Sequence, residues 1–148
     1  MKLFQIEEPE GAPLSADGPG AAVGIDLAAL SAAVAIALGG NAEILPGADG
    51  ARRLTTDGQA LDAVLLALRA RAEKQLARPV THAVIATPDG RDGAAVETAA
   101  KAAGLTVLRV VTQRAAAGGD YGADAVALGA ARIAEDLSLA LGITSPRS

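Results

Sequence analysis

Residues 22–45 read AVGIDLAALSAAVAIALGGNAEIL, and this stretch decides the fold. It divides into three extended runs of small and β-branched side chains, Ala22–Leu27, Ala32–Leu38 and Ala42–Leu45. Such residues suit the pleated, buried surface of a sheet. Gly39, Gly40 and Asn41 separate the last two runs, and these residue types tolerate the positive φ that a tight hairpin turn requires. The turn at Ala29, Leu30 and Ser31 is chemically much weaker. The chain therefore opens with two hairpins.

Beyond this stretch the hydrophobic period lengthens. Leu61, Val64, Leu65, Leu68, Ala72 and Leu76 recur at helical spacing, with Arg69, Arg71, Glu73 and Lys74 forming a solvated face. Thr56, Asp57, Gly58 and Gln59 have the form of a capping box ahead of this helix, and Pro79 ends it. Val80–Thr87 (VTHAVIAT) reads as a fourth strand. Asp92 caps a second helix that stops at Gly104, a C′ glycine, and Leu105–Thr112 (LTVLRVVT) reads as a fifth strand. Asp124 opens a last helix, with Val126, Ala130, Ile133, Leu137 and Leu141 on one face, that ends before Gly142.

The resulting order is β-β-β-α-β-α-β-α, an α/β fold in which a mixed five-stranded sheet carries three helices on its faces. Residues 7–20 (EEPEGAPLSADGPG) lack periodicity and are rich in acid, Pro and Gly. The expected organisation is a flexible tail over 1–21, a single domain over 22–142 and a C-terminal tail over 143–148.

Composition narrows the function. Of the 148 residues 51% are hydrophobic but only 1% aromatic, so the core must rest on many thin aliphatic contacts, which favours closely packed layers. Thirteen basic against 17 acidic residues, with almost no aromatic rings, offer neither a basic patch nor a stacking platform for nucleic acid. Cysteine is absent, which removes thiolate ligands and Cys nucleophiles and fits a reducing compartment. No apolar run has membrane-spanning length and no signal-peptide core opens the chain, so a cytoplasmic protein without membrane contact is expected. His82, the single histidine, lies inside a strand with no partner ligand in view and reads as structural.

Several blocks resemble the heat-shock protein 70 family of DnaK-type chaperones. Gly24, Ile25, Asp26 and Leu27, followed by Ser31–Ala35 and Gly39-Gly40, are similar to that family's first phosphate hairpin. Leu45-Pro46 and Ala48–Arg52 resemble the segment after it. Val80–Ile85, then Ala102–Leu105 and Val107–Arg109, resemble its fourth strand, second helix and fifth strand; Ala125–Ala131 resembles the helix closing its ATPase domain. The opening Leu3–Pro9 is similar to the HscA branch, which serves iron–sulfur cluster assembly. The resemblance implies a ribonuclease-H-like (actin and heat-shock chaperone ATPase) fold. It also implies that only the first large subdomain of the nucleotide-binding domain is present, since the family's inserted subdomain, second lobe and peptide-binding domain have no counterpart here.

The resemblance further places a phosphate and Mg²⁺ edge at Asp26, Leu27, Ala28 and Gln113. That edge is depleted. The family's Gly-Thr-Thr-Asn after the Asp-Leu pair is Ala28, Ala29, Leu30 and Ser31 here, and its glutamate after the fifth strand is Gln113, which cannot act as a carboxylate base or ligand. Pro88–Arg91 and Gly119-Asp120 place polar groups where the absent lobes would have covered apolar ones. Asp26 with Asp89 or Asp124 could be imagined as a two-metal nuclease set, but the latter two have plain turn and cap roles. The expectation is a stand-alone remnant or excised subdomain of an ATP-dependent chaperone. It has no catalytic residues or resident metal, takes Mg·ATP only if family binding is retained, and acts through a protein partner or self-association. The alternative is a nucleotide-binding ATPase rebuilt by two copies of the chain.

Overall fold

The structure, a computed structural model, describes residues 20–88, 92–120 and 122–142. The expected tails lie outside these residues, apart from Gly20 and Ala21. Ala21 is the first residue of strand β1 and donates its N–H to the Pro79 carbonyl at 2.8 Å.

The elements in chain order are β1 (Ala21–Leu27), β2 (Ser31–Leu38), β3 (Asn41–Ile44), β4 (Leu54–Thr55), α1 (Leu61–Leu76), β5 (Val80–Thr87), α2 (Gly93–Ala102), β6 (Thr106–Thr112), α3 (Gln113–Ala117) and α4 (Ala125–Leu141). The main sheet order is β3-β2-β1-β5-β6, with β4 also pairing to β2. Strands β1, β5 and β6 run parallel, while β2 is antiparallel to β1, β3 and β4.

The α/β layering and the mixed sheet agree with the expectation, but the described residues hold six strands and four helices in place of five and three. The additions are β4, two residues long, and α3, five residues long. Neither is long enough to show a period. Helix α3 is set by its ends instead: Thr112 Oγ1 accepts the Ala115 N–H at 3.0 Å, and Gly118 closes it in the left-handed region. The Gly39-Gly40 turn forms as read, with φ of 62° and 86°.

The capping box does not form. Helix α1 begins at Leu61 behind Ala60, which makes no side-chain cap, and Gln59 Nε2 instead donates to the Thr55 carbonyl at 2.8 Å. Nor are the α1 charges simply solvated. Arg69 donates through Nε to Val80 O and through Nη1 to Ala103 O, both at 3.0 Å, and the Glu73 carboxylate accepts the Val80 N–H. Arg69 thereby ties α1, β5 and the C-terminus of α2 together, where a cation also meets the negative end of that helix. A Cβ on Gly104 would stand 2.2 Å from Arg69 Nη1, so the glycine makes room for the guanidinium as well as for its φ of +84°.

The two sheet faces differ in kind. Val23, Ile25, Leu27, Val34, Ile36, Val80 and Ile85 point towards α1 and α2, which answer with Val64, Leu65, Leu68 and Val96. The other face is thin: Ala22, Gly24, Ala33, Ala35, Ala37 and Ala86 meet Ala127, Ala130, Ala131 and Ala134 of α4. A Cβ added to Gly24 would come within 2.0 Å of the Ala131 nitrogen, so helix and strand approach backbone to backbone. The close contact seats α4 deepest at its alanines, and the face expected for it is met in part: Val126, Ala130, Ile133 and Leu137 pack on the core, and Leu141 does not. Leu137 and Ile133 are only partly buried and Leu141 is 64% exposed, while Ala127, Ala131 and Ser138 sit beneath.

Ala77, the C-cap of α1, has φ 55° and is the one non-glycine residue with positive φ among the described residues. Ala77→Gly removes the Cβ penalty at this exposed position. It is expected to raise stability by about 0.5 kcal/mol, or about 1–2 °C in Tm, read by thermal unfolding.

Candidate functional site

The parallel strands β1, β5 and β6 end together, and the crevice at such carboxyl ends is where α/β sheets present their sites. Asp26 is the last but one residue of β1. Its alternation with Gly24 and Ala22 turns it to the α4 face of the sheet, and it is only 3% exposed. A carboxylate this deeply buried needs partners for both oxygens. Arg53 Nη1 donates to Oδ2 at 3.0 Å, and Gln113 Nε2 donates to Oδ1 at 2.8 Å. The same guanidinium donates through Nε to Ser31 Oγ at 2.8 Å.

Four segments meet here. Asp26 comes from β1, Ser31 from the first position of β2, Arg53 from the residue before β4, and Gln113 from the first turn of α3. Arg52, next to Arg53, pairs instead with Asp124 at the start of α4. Asp124 therefore occupies the helix-opening position expected for it, but its side chain makes no cap bond and serves the arginine instead. Asp92 does cap α2, accepting the Ala94 N–H at 2.9 Å. Asp89 lies outside the described residues.

Of the four residues expected at a phosphate edge, Asp26 and Gln113 are joined by a hydrogen bond. Leu27 and Ala28 instead line a separate recess of about 230 Å³ with Ala29, Thr56, Gln59, Leu61 and Val64. Pockets for small organic ligands usually have volumes of about 300 Å³ or more. Leu30, at the tip of the β1–β2 turn, is 66% exposed.

A Mg²⁺ ion, as the resemblance would bring, does not fit the arrangement as it stands. Both carboxylate oxygens are engaged by N–H donors, and no group of three or more His, Cys, Asp or Glu side chains that could hold a metal occurs among the described residues. His82, elsewhere on β5, has Nδ1 2.7 Å from Thr81 Oγ1, and burial lowers its pKa. It takes no part in the site.

Arg53 and Ser31 were not among the expected site residues. One signal for Arg53 existed: two adjacent arginines stand where the resembled family carries an inserted subdomain, close in sequence to a strand-end aspartate.

A sequence model of the Hsp70 protein family matches residues 54–134, more than half of the 148-residue chain. The chain belongs to the Hsp70 family. Over 69 residues it is also 46% identical to the chaperone protein HscA homolog of Azoarcus sp. (strain BH72), a match covering 45% of this chain and 11% of that protein. The chain thus spans about a tenth of the curated relative's length.

The Hsp70 match covers β4, α1, β5, α2, β6, α3 and the first part of α4, and so takes in Gln113 and Asp124. Asp26, Ser31 and Arg53 lie before it. In this Hsp70-family chain the sheet-end carboxylate is bound by the protein's own side chains. Among the described residues no helix is long and apolar enough to cross a membrane.

Proposed function

We propose that this chain carries the first large subdomain of an Hsp70-type nucleotide-binding domain in a form that does not hydrolyse ATP, and that it acts through protein contacts in a chaperone system of the HscA type. The observation that carries the reading is that both Asp26 oxygens already accept from Arg53 and Gln113, so a hydrated Mg²⁺ or an attacking water would have to compete with a guanidinium for this carboxylate. The strand order β3-β2-β1-β5-β6, with β2 reversed, favours a ribonuclease-H-like arrangement within the broader α/β class. Cytoplasmic residence accords with the absence of cysteine.

Isothermal titration with Mg·ATP, run beside light scattering, tests this function. The expected result is no binding heat at submillimolar nucleotide. Submillimolar binding by a dimer would overturn it and establish the alternative, an ATP site rebuilt from two copies.

A further inference from the structure

We propose that the outer edge of β6, with the groove beside it, is the docking surface for this chain's own residues 3–6 (Leu3-Phe4-Gln5-Ile6), which add to the sheet as an antiparallel strand. These four residues lie outside the described ones. Among the described residues β6 pairs with β5 alone, so along its seven residues one side of the backbone is left open. A long apolar edge invites a further strand unless it is charged, bent or covered. Both sheet faces are incomplete here: Val107 and Val110 are only partly buried on the α1 and α2 side, and Leu108 and Val111 on the α4 side. An open groove of about 450 Å³ lies between α2 and the start of β6, with Thr98, Lys101, Leu105 and Val107 in its lining.

Reach, alternation and charge choose the occupant. Strands β1, β5 and β6 are parallel, so Gly20, ahead of β1, stands at the end of the sheet where β6 begins. A strand added beside β6 is three strand spacings from β1, about 14 Å. Residues 7–20 span about 20 Å as a flexible linker, and returning to that end they set residues 3–6 antiparallel to β6. Alternation then turns Phe4 and Ile6 to the groove, and Leu3 to the α4 side beside Leu108 and Val111. Glu7 and Glu8 follow at the end where Lys101, in the last turn of α2, borders the groove. A second copy fits less well. Pairing two β6 strands about their midpoint sets Arg109 against Arg109, and the register shift after Ala83 bends the edge at Leu108. Tethering, by contrast, holds residues 3–6 at a local concentration of the order of millimolar.

Two measurements on the full chain test the contact. Backbone hydrogen exchange over residues 106–112 should quicken about tenfold in Phe4→Asp/Ile6→Asp, because a charged segment no longer covers the edge. Lys101→Glu, at an exposed position of α2, should quicken it by less. The chain has no cysteine, so an introduced pair reports proximity without interference. Mild oxidation of Gln5→Cys/Arg109→Cys should close a disulfide within one chain, seen as a reducible shift of the monomer band in denaturing electrophoresis.

Equal exchange in wild type and both charge variants overturns the proposal, and exchange decides where the two readouts differ. Protection that rises with protein concentration, or a disulfide joining two chains, assigns the edge to a second copy and overturns it as well. The outcome is independent of nucleotide binding, which the Mg·ATP titration reads separately.

Discussion

Gly24→Ala should destabilise the fold by about 4 kcal/mol and Gly129→Ala by about 3 kcal/mol, at the severe end of single substitutions. Gly24 lies in the middle of β1, paired on both sides, and the added methyl would stand 2.0 Å from the Ala131 nitrogen and 2.4 Å from the Ala130 carbonyl carbon. Those are backbone atoms of α4, so no rotamer change relieves the clash and the helix must lift from the sheet. At Gly129 the methyl would stand 1.6 Å from the Ala116 carbonyl oxygen, displacing α3 from α4 and with it the Gln113 amide that serves Asp26. Gly93→Ala is the control: nothing lies within 4 Å of its added Cβ, and its cost should stay within about 0.5 kcal/mol. Urea denaturation of the three variants checks the series. If Gly24→Ala matched Gly93→Ala, the close seating of α4 on β1 would be wrong.

Asp26→Ala should cost about 2 kcal/mol, because it leaves the Arg53 guanidinium and the Gln113 amide without their shared acceptor. The value sits below that of a fully interior pair because Arg53 is 29% exposed and recovers some hydration. Arg52→Ala provides the contrast. It breaks the Arg52–Asp124 pair, whose arginine side chain is 62% exposed, and should cost less than about 0.5 kcal/mol, with further weakening in salt. Thermal unfolding of both variants in low and high NaCl reads the difference. Equal losses would show that Asp26 is no interior latch.

These expectations depend unequally on local pattern. The hairpin at Gly39-Gly40, the α1 core face and the Asp92 cap were all legible, because each is a relation among residues within a turn or two of one another. The face of α4 was legible at Val126, Ala130, Ile133 and Leu137, which pack on the core, but its deepest positions and its last turn were not, for a physical reason. Periodicity weighs the largest side chains, whereas this helix seats itself by its smallest ones, so Ala131 and Ser138 lie inward and Leu141 outward. Nothing near Gly24 in sequence shows that its missing Cβ makes room for a helix more than 100 residues further on. The capping box was lost in a similar way: Thr56 N–H bonds back to the Leu30 carbonyl at 3.1 Å, so the segment extends the β4 connection and the helix starts later.

At the sheet end, the family resemblance directed attention to Asp26 and Gln113 and implied a turn poorer in hydroxyls. It could not show what replaced them. Arg53 is 27 residues from Asp26 and Gln113 is 87, and only the pairing of β4 with β2 and of β6 with β5 brings them to one carboxylate. Strands and helices follow from neighbours along the chain, where spacing and side-chain type act directly. The closed carboxylate follows from contacts between distant segments, where a buried charge recruits whichever donors the folded backbone delivers to it.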